Sequence, residues 1–298
     1  MNLNRVRTLY VDLNRLSGDR LGILREAITT FSAMRGGQAA ASLAYYAIFS
    51  LFPLLLVLIV AGSYFIDSER VYMTVIYSVE RLIPASPQLI EENLQYILKQ
   101  RESVGIIVLI TLLWSASGVF TNLAYNINLA WADAPARNFL NRYLIGIAMV
   151  LVLSGLLAVS ILLDWATHLI PFMGWLGSSP LAGFWVTLSG LISWLVVFLL
   201  FMGLYLWIPT VPISAKAALW SALLASTAWK LATTAFAWYL QSGLNRYSVV
   251  YGSLGAIIAL LVLIYWISLI TLFGAHLAAA IDRRMKYARA QQQVLKGV

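Results

Sequence analysis

Six apolar stretches, each long enough to cross a bilayer as a helix, recur along this chain: Ala39 to Phe65, Val104 to Asn126, Tyr143 to Leu163, Phe184 to Trp207, Ala217 to Leu240 and Ser253 to Ile281. A helix needs roughly 20 residues to cross about 30 Å of hydrocarbon. Inside lipid no water is available to the backbone, so a spanning segment is either a helix or a barrel strand with alternating apolar and polar residues. These runs are continuous, and they predict an all-α integral membrane protein with six transmembrane helices. Composition agrees, with 61% of the 298 residues hydrophobic and 11% charged, against about 25% charged in soluble domains. A water-soluble globule, a disordered chain and a charge-dense nucleic-acid arm are thereby excluded. The chain has no cysteine, which excludes disulfides, thiolate nucleophiles and cysteine-held metal sites.

Basic loops stay on the cytoplasmic side of a membrane. Six arginines (Arg5, Arg7, Arg15, Arg20, Arg25 and Arg35) precede the first run; Arg137 and Arg142 follow the second, Lys216 follows the fourth, and five basic residues follow the last. The opposite side holds Arg70, Arg81, Lys99, Arg101 and Arg246, diluted by Asp67, Glu69, Glu80, Glu91, Glu92 and Glu102. Both termini are therefore expected in the cytoplasm. The expected organisation is a cytoplasmic region 1–38, a transmembrane domain 39–281 with an extracytoplasmic loop 66–103, and a basic tail 282–298. The segment Met1 to Asp19 has arginines without an apolar core, so no cleaved signal is expected there. The net charge of +8 fits insertion bias and attraction to anionic headgroups, so membrane lipids are expected partners and nucleic acid is not.

Two segments outside the runs have helical amphipathic spacing. Leu21, Leu24, Ile28 and Phe31, flanked by Arg20, Arg25 and Arg35, predict an N-terminal helix lying in the cytoplasmic interface. Val71, Tyr72, Val75, Ile76, Val79 and Leu82, then Leu89, Ile90, Leu94, Ile97 and Leu98 beyond Pro84 and Pro87, predict an extracytoplasmic helical hairpin, either capping the outer mouth or packing on its own bundle.

Polar groups placed where lipid should be are the informative ones. Lys230 lies 14 residues after Lys216 and 10 before Leu240, which puts its ammonium deep enough to be expected in the bundle interior or a wet cavity. Ser226, Thr233, Thr234, Ala237 and Gln241 lie on the same side of that helix. In the second run Thr111, Ser115, Gly118, Asn122 and Asn126 make a small-and-polar stripe, read either as helix-packing glue or as a cavity wall. Tyr45, Tyr46 and His276 lie near the same membrane face and are candidates for one vestibule. Pro53 interrupts the first run and frees a carbonyl, a candidate kink or gate. Gly252, Gly255 and Gly118 are candidate helix-packing positions. Asp164 and His168 are four apart, and two ligands make no metal site. No cofactor is expected.

Nucleotide, zinc-peptidase and serine-hydrolase motifs are absent, so no enzyme is expected. The run Ala41-Ser-Leu-Ala-Tyr-Tyr-Ala-Ile-Phe-Ser-Leu-Phe-Pro53-Leu-Leu, with Tyr251-Gly-Ser-Leu-Gly-Ala256 leading through Tyr265 and Trp266 to Gly274-Ala275-His276, resembles the YihY/BrkB family of bacterial inner-membrane proteins. Phe236-Ala-Trp-Tyr239 and Pro209 also look like family positions, and the likeness covers roughly Phe31 to Ile281. The resemblance implies six membrane helices with both ends inside, in a bacterial inner membrane. Where many members have Glu after the Gly-Ala pair, this chain has His276. Family members have been described as virulence or serum-resistance factors, linked to envelope-lipid or solute transport, and sometimes given a ribonuclease label, which the absence of an acid–base cluster does not support. The leading expectation is a transporter or flippase for an anionic or amphipathic envelope-related substrate, lined by Lys230, Asn122, Asn126 and Tyr45. The alternative is a non-transporting scaffold for envelope assembly. Small-residue faces permit a homo-oligomer.

Overall fold

The computed structural model describes residues 20–65, 118–135, 182–241 and 254–296, with scattered residues between 138 and 149. The expected hairpin, the outer part of the second run, most of the third and Gly252 lie outside the described residues, as do Asp164 and His168. Among the described residues every regular element is a helix: α1 (Arg20–Ala33), α2 (Gly36–Phe65), α3 (118–128), α4 (Ala182–Trp207), α5 (Ala215–Gln241) and α6 (Leu254–Lys296). α2, α4 and α5 match the first, fourth and fifth apolar runs nearly end for end. α6 does not stop at Ile281 as the hydropathy suggests. Its 43 residues extend for about 65 Å at 1.5 Å per residue, because the charged stretch after Ile281 is rich in the good helix formers Arg, Lys, Ala, Gln and Met. Among the described residues one stretch, Ile257–Leu295, is long and apolar enough to cross a bilayer by length and composition.

α6 is the central helix, packed against α1, α2, α4 and α5. Every residue from Gly274 to Ala280 is buried, and four of the seven are alanine. Facing them are Ala218, Ala222 and Ala225 of α5, Ala40 and Leu43 of α2, Ala124 and Ile127 of α3, and Phe201 and Tyr205 of α4. Small side chains let helix backbones approach closely. The large apolar side chains point the other way: Leu191, Leu195 and Leu199 on α4, Trp220, Leu231 and Trp238 on α5, and Leu261 and Trp266 on α6 are all exposed. Small inside and large outside is an arrangement that hydrocarbon tolerates and water does not.

α1 turns sharply into α2. Met34 N–H donates to Thr30 O and Arg35 N–H to Ser32 O, both at 3.0 Å, and Arg35 adopts a left-handed φ of 53°. Glycine takes this conformation without steric cost, whereas an arginine Cβ crowds the backbone. Arg35→Gly is therefore expected to stabilise the protein by about 0.5–1 kcal/mol, measured as a higher unfolding temperature in detergent. The apolar stripe predicted for α1 is split between two faces. Ala27 and half-buried Phe31 face α6, whereas Leu21, Leu24 and Ile28 are exposed. The helix is thus docked on its own bundle and also keeps an outward apolar strip.

Candidate functional site

α5 divides lengthwise into three strips. Ala218, Ala222, Ala225 and Phe236 are buried. Trp220, Leu224, Leu231 and Trp238 point outward, Leu231 being 66% and Trp238 65% exposed. Beside them Thr227, Lys230, Thr234 and Ala237 recur at intervals of three, four and three and are exposed as well. Lys230 is therefore not turned into the packed interior, which corrects the first of the two placements expected for it. The physical reason is the buried strip itself, where alanines pressed against α6 leave no room for a lysine side chain. Ser226 and Thr233 are less open than Lys230: Ser226 is buried with its Oγ donating to Leu223 O at 3.1 Å, and half-buried Thr233 donates to Trp229 O at 3.0 Å and to Lys230 O at 3.1 Å. Arg283 and Arg284 pair with Glu26, and Lys286 with Asp282.

The asparagine stripe lies at the α2–α3 seam. Asn122 Nδ2 donates to Ser42 Oγ of α2 at 3.1 Å, and Asn126 Nδ2 donates to Asn122 O at 2.8 Å and Oδ1 at 2.6 Å. Asn122 thus bonds across the seam to α2, while both bonds of Asn126 stay within α3. Asn122→Ala is expected to cost about 1 kcal/mol, one interhelical hydrogen bond, measured as a lower unfolding temperature. Tyr45 and Tyr46 are exposed on α2, edge to face at 5.7 Å, with Phe49 4.7 Å from Tyr45. His276 does not join them. It is 3% exposed, its Nδ1 lies 3.3 Å from Thr30 Oγ1, and the Phe31 ring stands edge-on at 5.6 Å, so it seats α1 on α6. Gly118 is exposed, and a Cβ there would meet nothing within 4 Å among the described residues. Gly255 falls in the first turn of α6, and α2 remains helical through Pro53.

A polar network at the loop end of the bundle had no counterpart in the sequence reading. Asp282, 1% exposed, accepts the Ser214 N–H at 2.9 Å on Oδ1 and pairs through Oδ2 with Lys286 Nζ at 2.8 Å. Lys286 also donates to Pro212 O at 3.1 Å. The carboxylate thus lies at the N-terminus of α5, where the helix dipole favours it. The next residue reaches the other way. Arg283 Nε donates to Glu26 Oε1 at 2.8 Å and Nη1 to Ala130 O at 3.2 Å. Asn128 Oδ1 accepts both the N–H and the hydroxyl of Thr210, at 2.9 and 3.1 Å. The only hint in sequence was an Asp at the end of the last apolar run.

A family model described as virulence factor BrkB matches residues 27–296. The chain belongs to the BrkB family. Similar proteins include the ribonuclease-like protein YfkH of Bacillus subtilis, 26% identical over 89% of this chain and 97% of that protein. A UPF0761 membrane protein of Vibrio vulnificus is 26% identical over 92% of this chain and 87% of its own length. A UPF0761 membrane protein of Legionella pneumophila is 26% identical over 81% of this chain, which spans 57% of that longer relative. No solved structure matches the chain significantly. BrkB membership and the description of the UPF0761 relatives make this a membrane protein. In that setting Lys230 is the unusual residue.

Proposed function

We propose that this BrkB-family protein is a six-pass transporter of a bacterial inner membrane, with both termini cytoplasmic, that moves an anionic or amphipathic envelope-related substrate past Lys230. One observation carries the reading: the open polar strip Thr227, Lys230 and Thr234. Lys230 is about 22 Å along α5 from Ala215 and about 17 Å from Gln241 at 1.5 Å per residue. A side chain that deep cannot bring its ammonium to headgroups without strain, and a bare charge in hydrocarbon costs several kcal/mol. The strip therefore faces water, and a hydrated cation at mid-depth is a station for a negative group. The stretch of α6 that packs the core is sealed by alanines, so the path runs along α5. No catalytic step is assigned.

The test uses the full chain in proteoliposomes with two probes, radiolabelled sulfate and a fluorophore-labelled phosphatidylglycerol. At least one is expected to cross the bilayer, and Lys230→Met is expected to stop it without altering thermal unfolding. If neither probe moves, or both move unchanged in folded Lys230→Met, the transport reading fails and a non-transporting scaffold takes its place.

A further inference from the structure

The open side of α5 carries two strips, and no side chain of α5 stands between them. Trp220, Leu224, Leu231 and Trp238 form the apolar one, and Thr227, Lys230, Thr234 and Ala237 the polar one. A conduit for a small soluble anion needs polar groups on all sides and protein between it and the tails. Here the lysine and the outward leucine, Lys230 and Leu231, are sequence neighbours on a face left open among the described residues. We propose that the substrate is an anionic lipid, whose headgroup travels along Lys230 and Thr234 while its acyl chains remain in the bilayer against Leu231 and Trp238. The inference rests on the transport reading above and decides between the two substrate classes it allows.

An anionic headgroup leaving the interface loses hydration, which a cation and hydroxyls at mid-depth partly replace. Its chains lose nothing if they stay on a surface as apolar as their neighbours. A path open to the side spares the protein from enclosing a molecule with two long tails. Charge selects the headgroup, and the outward tryptophans and leucines give the chains a wall to follow. Sulfate has no chains and gains nothing from the apolar strip.

The two-probe assay separates the outcomes, read for the lipid by dithionite, which bleaches labelled lipid only where it is exposed to the outer solution. With the wild-type chain, inner-leaflet lipid is expected to be bleached as well. Lys230→Gln is expected to slow this about tenfold or more, the size of one lost charge-assisted contact. Leu231→Gln, which places an amide on the tail strip, is expected to slow the lipid and leave sulfate flux unchanged. Thr234→Val serves as a second polar-strip variant should Lys230→Gln fold poorly. Movement of sulfate alone, dependent on Lys230, overturns the lipid assignment and leaves the transport reading standing. Lipid movement equal in wild type, Lys230→Gln and Thr234→Val overturns the assignment too, as does the absence of lipid movement.

Discussion

Asp282→Ala is expected to lower the unfolding temperature by about 5–10 °C, corresponding to about 3 kcal/mol. The carboxylate is almost wholly enclosed, so its removal is not repaired by water. It leaves the Ser214 N–H without its acceptor and Lys286 without its counter-charge, beside a helix N-terminus that favoured a negative group. Lys286 is half exposed and recovers part of its hydration, which keeps the loss below that of a fully buried pair. Asp282→Asn retains an oxygen for Ser214 and forfeits the ion pair, so it is expected to cost about 1 kcal/mol. Thermal unfolding of the three proteins in one detergent checks the order, wild type above Asn above Ala. Equal stabilities would show that the turn between α4 and α5 does not depend on α6 for its position.

Gly274→Ala is expected to be costly for the opposite reason. Tyr205 is fully buried, and its hydroxyl donates to Thr271 O at 3.0 Å. A Cβ at position 274 would run into that hydroxyl oxygen, with the ring Cζ at 2.8 Å and Ala225 Cβ at 3.3 Å. α6 has little room to shift away from α4 and α5, because α1 and α2 also pack on it. Overpacking of this kind costs about 1–3 kcal/mol, and the two further side-chain carbons of Gly274→Val cost more. Removing the obstructing oxygen should relieve part of the strain. Tyr205→Phe alone is expected to lose about 1 kcal/mol, one buried hydrogen bond. In the Gly274→Ala background it should lose less than that or gain. The double-mutant cycle measures the coupling, and strict additivity would show that the two sites do not touch.

The helices were legible because hydrophobic length acts locally. α2, α4 and α5 follow directly from where the apolar runs begin and end, and Lys230 stood out as a cation far from either end of its run. What the sequence did not disclose depends on which helix lies against which. Gly118 and Gly274 are both glycines in apolar helices, and only the packing of Tyr205 distinguishes the one that matters from the one that meets nothing among the described residues. Asp282 reads as the first residue of a charged tail, since nothing local shows that the start of α5 is docked on it. His276 looked like a vestibule residue because its depth was right; its direction, toward Thr30 and Phe31, is a tertiary fact. In α1 the apolar residues divide between a face packed on α6 and an exposed one, and periodicity does not say which is inward.

The account depends on water reaching the polar strip of α5, and the absence of native cysteine makes a single introduced thiol unique. A nitroxide attached at Lys230→Cys in the full chain, reconstituted in bilayers, is measured by electron paramagnetic resonance for collision with a water-soluble nickel chelate and with lipid-soluble oxygen. The same label at Leu231→Cys is the reference. The chelate should dominate at position 230 and oxygen at position 231. Oxygen dominating equally at both positions would place Lys230 in lipid and contradict the account.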